Sequence, residues 1–90
     1  MIILSYDIRD NHLRTAFAKF ILQYGRRLQY SVYEIKNSKR ILDLIKIEIK
    51  NKFEKKFSQE DSVFIFEVTA TDQILRFGYA KNEENDLLIY

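Results

Sequence analysis

The chain has 90 residues, 47% of them hydrophobic and 31% charged, which is enough apolar matter for one small core and too much for a disordered tail. It has no cysteine, which excludes a disulfide framework, a thiolate zinc site and a cysteine nucleophile, and no proline to mark a linker. The net charge of +2 hides a split. Residues 1 to 57 carry thirteen Lys or Arg against six Asp or Glu (+7), and residues 58 to 90 carry two against seven (−5), so the first part of the chain suits a phosphate-bearing partner.

The apolar opening at residues 1 to 4 is far shorter than a signal segment or a membrane span, so a soluble cytoplasmic protein with no membrane partner is expected. Residues 2 to 8, IILSYDI, are rich in β-formers and read as a central strand buried on both faces. From Asp10 the period changes: Leu13, Ala16, Phe17, Phe20, Ile21 and Tyr24 form the stripe of an amphipathic helix over about residues 11 to 24. Asp10 or Asn11 caps its start and Gly25 serves as the glycine that ends it.

Residues 29 to 36, QYSVYEIK, alternate as a strand. Asn37-Ser38 then caps a second helix with the stripe Leu42, Ile45, Ile49, Phe53 and Phe57; its outer face is lysine-rich, with part of that charge expected in i,i+4 pairs such as Glu48 with Lys52. After the acidic turn Gln59-Glu60-Asp61, residues 61 to 68, DSVFIFEV, read as a strand with Val63, Ile65 and Glu67 on one side and Phe64, Phe66 and Val68 on the other. Residues 72 to 79 and 86 to 90 read as further strands.

The elements run βαβαβ, with room for one more strand in a βαβ(β)αβ order. That predicts an α+β, ferredoxin-like sandwich with both helices on one sheet face, as a single domain over 1–90 with a core at 1–68 and a strand-rich tail at 69–90. The other sheet face, rich in Tyr and Phe, is then a candidate for dimerisation.

Chemical residues are few. His12 is the only histidine, and the two glycines make no phosphate loop, so hydrolytic triads and nucleotide-cofactor folds have no support. Asp7, at the end of the first strand, either caps that end, pairs with Arg9 or Arg14, or is a metal ligand. As a hard oxygen donor it suits Mg²⁺ or Mn²⁺, and a two-fold dimer would set two Asp7 carboxylates opposite each other. Asp10, close to Asp7 in sequence, is a further candidate. Arg14, Lys19, Arg26 and Arg27 are candidates for a nucleic-acid backbone, read by shape and charge, because no aromatic-basic RNA-reading motif is present. A small regulatory ligand-binding module on the same fold would need a glycine-bearing loop, and none is visible.

The run SYDIRDNHLRTAFAKFILQYGRRLQYSVYEI at residues 5 to 35, followed by DSVFIFEV, resembles the Cas-two family of small CRISPR-associated proteins of the spacer-acquisition complex. The resemblance covers residues 1 to 68. It implies a ferredoxin-like homodimer in which the C-terminal strand completes the partner's sheet, flanked by Cas-one integrase dimers, with double-stranded protospacer DNA across its basic surface. It further implies Mg²⁺-dependent endonuclease activity on RNA or DNA, with Asp7 as metal and catalytic residue, phosphate contacts from Arg14, Arg26 and Arg27, and Ser31 of the matched QYSVYE strand as a further candidate near the same edge. The alternative is a stand-alone toxin-like metal-dependent endoribonuclease of the same fold.

Overall fold

A computed structural model describes residues 1–69, 75 and 77. The elements are β1 (Ile2–Asp7), α1 (Asn11–Leu22), β2 (Gly25–Gln29), β3 (Val32–Ile35), α2 (Lys39–Glu48) and β4 (Ser62–Glu67). The order βαββαβ completes the ferredoxin-like arrangement with a strand, β2, where the residues alone suggested a helix end and a loop. The described strands form one antiparallel sheet in the order β2-β3-β1-β4. The tail strands expected at 72 to 79 and 86 to 90 lie outside the described residues, apart from Leu75 and Phe77.

Strand alternation decides the two faces. From β1, Ile2, Leu4 and Tyr6 point inward and join Tyr33 and Ile35 of β3 against Phe17 and Ile21 of α1 and Leu42 and Ile45 of α2. Val63 and Ile65 of β4 pack on the same cluster, so both helices cover one face. Burying each such side chain contributes roughly 1.5–3 kcal/mol. Rings fill the space between helices and sheet: Phe17 meets Tyr6 edge-on at 5.2 Å and Phe53 at 5.0 Å.

The opposite face carries Ile3, Ser5 and Asp7 from β1, Val32 and Glu34 from β3, and Phe64 and Phe66 from β4. Ile3, paired in register with Glu34 and Phe66, is buried without belonging to the core cluster. The expectation of a first strand buried on both faces therefore holds at Ile3 and fails at Ser5 and Asp7, which open towards the strand end.

Gly25 does not end α1 by adopting a left-handed conformation; it opens β2. Its register partner is Ile35, and a Cβ here would sit 2.9 Å from the Ile35 Cα and closer still to the Glu34 carbonyl oxygen. Glycine is needed because two backbones approach closely. The predicted strand over residues 29 to 36 is in fact the second half of a hairpin, turning at Tyr30-Ser31. A bulge between Arg27 and Gln29 shifts its register.

The second helix also departs from simple periodicity. After Glu48 it widens into a π-helical segment (Ile49–Phe53) and closes with a 3₁₀ turn (Glu54–Lys56). Ile45, Ile49, Phe53 and Phe57 are spaced by four, which on an α-helix drifts about 40° at each step. The wider turn keeps Phe53 buried, its ring against Phe17 and Phe20. Among the described residues no Glu48–Lys52 pair forms, whereas Lys39 and Asp43 approach at 3.9 Å. No helix among these residues is long and apolar enough to cross a membrane.

Candidate nucleic-acid groove and strand-end carboxylate

The end of β1 and the start of α1 are tied together by their own side chains. Asp10 caps α1, its Oδ2 accepting from the Leu13 N–H at 2.8 Å. One turn on, Arg14 reaches back: Nη1 donates to the carbonyls of Ile8 (2.9 Å) and Arg9 (3.2 Å), and Nη2 to the Asn11 side-chain oxygen. Three of its five donor sites are thus used in holding the loop, leaving two for a ligand.

From the other side Asp61 accepts from the Arg9 N–H at 2.9 Å and the Ser58 N–H at 2.7 Å. The Ser58 N–H, and after it the Arg9 N–H, hold the Asp61 carboxyl below its ordinary value of 3.8. The Arg9 side chain pairs with Glu60 at 2.9 Å. Asp61 had no assigned role in the sequence reading; the Ser58-x-x-Asp61 spacing of a side chain returning to its own turn is the signal that could have found it.

These pairings leave Asp7 alone. Arg9 and Arg14, its candidate partners, are engaged elsewhere, Asp10 does the capping, and the Asp7 carboxylate is exposed with no hydrogen bond or ion pair among the described residues. A Mg²⁺-type ion takes oxygen donors, keeps several waters and is commonly bound through one or two carboxylates. Asp7 fits as one such donor. Among the described residues no group of three or more His, Asp or Glu comes together.

Beside Asp7 lies a concavity of about 520 Å³ whose walls include Tyr6, Arg14, Lys19, Arg27, Tyr30 and Ser31. It gathers five of the candidate residues: Asp7, Arg14, Lys19, Arg27 and Ser31. Lys19 is exposed and has no ion pair among the described residues. Arg27 is anchored on Tyr33, donating to its hydroxyl from Nε (3.1 Å) and Nη2 (2.9 Å), with Cζ 5.4 Å from the ring centre. The Tyr33 hydroxyl is in turn 3.3 Å from that of Tyr6. Burial, reinforced by the hydrogen bond to Tyr33, pushes the Tyr6 phenol well above its ordinary value, so it stays protonated at the groove floor.

Arg26 is placed elsewhere. It pairs with Glu34 at 3.0 Å across the open sheet face and borders a second concavity with Gln23 and Lys36. Asp10 acts through the helix cap, and exposed His12 does not line the groove.

The fold and this strand-end groove define a small ferredoxin-like protein with a concavity that sets Arg14, Lys19, Arg27 and Asp7 among apolar side chains, and an open sheet face that exposes Phe64 and Phe66. The chain belongs to the family described as CRISPR associated protein Cas2, whose model matches residues 1–74. Among solved structures it is similar to Cas2 of Streptococcus pyogenes at 20% identity, with a TM-score of 0.71 over 86% of this chain and 98% of that one. It is also similar to a hypothetical protein of Thermus thermophilus at 25% identity, with a TM-score of 0.70 over 88% and 93% of the two chains. A comparison with curated proteins gives no significant match.

Proposed function

We propose that this chain serves CRISPR spacer acquisition as a homodimer that binds double-stranded protospacer DNA and bridges Cas-one integrase. The observation that carries this reading is the convergence of Lys19, Arg14 and Arg27 on one concavity in a chain of the Cas2 family. Lys19 offers a mobile point charge, and Arg14 offers two remaining donors from a guanidinium already held in place. Fixed donors of this kind meet phosphate oxygens at little ordering cost, and each neutralised phosphate adds salt-sensitive affinity. The open sheet supports the dimer: Phe64 and Phe66 are 58% and 50% exposed, more apolar ring surface than a small monomer favours in water.

The test is duplex binding as a function of salt, followed by integration assays with the neighbouring integrase. Wild type is expected to lose affinity steeply as salt rises. Lys19→Glu is expected to bind more weakly with a shallower salt slope and to integrate poorly. Affinity that is indifferent to salt and to Lys19→Glu would overturn the reading.

One observation favours a second activity on the same groove. Asp7, at the end of β1, is a carboxylate with no partner among the described residues, whereas its neighbours Asp10, Asp61 and Glu60 all have partners. By strand alternation it lies on the open-face side, so a dimer through that face brings two Asp7 side chains towards one axis. The pair would hold Mg²⁺ or Mn²⁺, which when bound supplies Lewis-acid stabilisation and an activated water for phosphodiester hydrolysis. This chain's own part is to present the Asp7 carboxylate at the end of β1 and to position the phosphate with Arg14 and Lys19. Asp7→Ala is expected to abolish metal-dependent cleavage while leaving duplex binding intact. Cleavage that persists in Asp7→Ala or in excess chelator would exclude this activity.

A further inference from the structure

Tyr30 is 81% exposed, at the tip of the hairpin between β2 and β3, and it borders the same groove as Lys19, Arg14 and Asp7. It makes no hydrogen bond, ion pair or ring contact among the described residues. Turn chemistry does not explain it, because two-residue hairpin loops favour Gly, Asn and Asp, and the pair here is Tyr30-Ser31. Packing does not explain it either, since so much of the side chain stands in water. Just before the tip, the bulge between Arg27 and Gln29 breaks the β2–β3 register. Bulges of this kind re-aim the side chains beyond them and recur beside functional sites.

We infer that Tyr30 is a stacking platform for an unpaired nucleobase, so that the groove holds a duplex bearing a short single-stranded end more tightly than a blunt one. The inference rests on the reading of the groove as a nucleic-acid site and adds a substrate feature to it. An exposed aromatic face beside fixed cations is the arrangement that holds single strands. Cations track the phosphates while rings stack on bases, and the preference is tolerant of sequence because every base has a π-face. In a duplex the base faces are already stacked on one another and Tyr30 has nothing to cover. A frayed or overhanging end offers one. Its phosphates then run towards Lys19 and the two remaining donors of Arg14, while Asp7, the lone carboxylate on the wall, disfavours a phosphate directly against it.

The test uses fluorescence anisotropy on the full chain with three DNA probes. These are a blunt duplex, the same duplex with a short single-stranded overhang, and one whose overhang is abasic and so keeps the phosphates without the bases. Wild type is expected to bind the base-bearing overhang about 5- to 150-fold more tightly than the blunt duplex, the range one stacked base provides. The abasic overhang should bind like the blunt end. Tyr30→Ala should erase the preference and Tyr30→Phe should keep it, with thermal midpoints unchanged because the side chain is exposed.

A preference that survives in Tyr30→Ala, or that the abasic probe shares, overturns the inference. If blunt-duplex affinity still falls with salt in that case, the groove reading stands without the platform. If wild type binds none of the three probes, both fall.

Discussion

Phe66→Ser tests the open sheet face as the dimer interface. Phe66 is half exposed, stacks against Phe64 with ring centres 6.1 Å apart, and stands outside the core cluster. Taking roughly 200 Å² for a whole phenylalanine side chain, about 100 Å² of this ring remains in water to be covered by a partner. In a symmetric dimer the substitution acts twice, so about 200 Å² of apolar contact is lost, an upper bound of about 5 kcal/mol at roughly 25 cal/mol per Å². Serine still fills part of the space. The expected loss is therefore about 2–5 kcal/mol, or roughly 30- to 4,000-fold in the dimer Kd.

Sedimentation equilibrium over a concentration series reads this directly, and circular dichroism should show a protomer folded as before. Ile65→Ala supplies the contrast. One residue along, it faces the core cluster and should lower thermal stability with little change in Kd. A Phe66→Ser protein that dimerises like wild type would refute the reasoning and move the interface elsewhere.

Gly25→Ala should destabilise by about 1–3 kcal/mol or more in chemical denaturation, because the new methyl meets backbone of β3 that cannot rotate away, and hydrogen exchange should localise the loss to the β2–β3 hairpin. Tyr33→Phe should cost about 1.5–3 kcal/mol, since it removes the acceptor of two guanidinium N–H groups and the hydroxyl partner of Tyr6; an unchanged thermal midpoint would argue against this network. Asp61 has a folded-state value below its ordinary 3.8, so its contribution is present above that value and is lost as pH falls through it towards the depressed folded value. Thermal melts of wild type and Asp61→Asn should therefore differ near neutral pH and converge in acid, and curves that stay parallel would contradict the assignment.

The parts legible from the residues were those governed by strong periodicity. The Phe17-Ile21 and Leu42-Ile45-Phe53 stripes, the Asp10 and Ser38 caps and the alternation of β4 all follow from local pattern, and each is in place. Strand β2 escaped because its residues, GRRLQ, do not alternate. Its identity comes from cross-strand partners, Arg26 with Glu34 and Arg27 with Tyr33, which only the register reveals. Gly25 misled for a related reason: a glycine after a helix signals a stop equally well whether the cause is a left-handed residue or a close backbone. At the site, composition and spacing picked out Asp7 and the basic residues, yet could not divide their tasks. Arg14, Arg26 and Arg27 look alike in sequence, and only their partners separate a loop clamp, an open-face ion pair and a groove wall.

That division bears on how the two activities proposed for the groove can coexist. Adjacent residues of a strand point to opposite faces, so Tyr6 enters the core network that anchors Arg27 while Asp7 turns towards the open face. The end of β1 is thus a corner shared by the groove and the proposed dimer interface. On the proposed reading, the basic side of the groove draws on residues of one chain to attract a phosphate backbone. The proposed carboxylate site would draw on a second copy's Asp7. DNA binding should then be insensitive to small changes in how the two sheets pack, whereas any metal-dependent chemistry should follow the distance between two Asp7 residues, which the packing of the two copies sets.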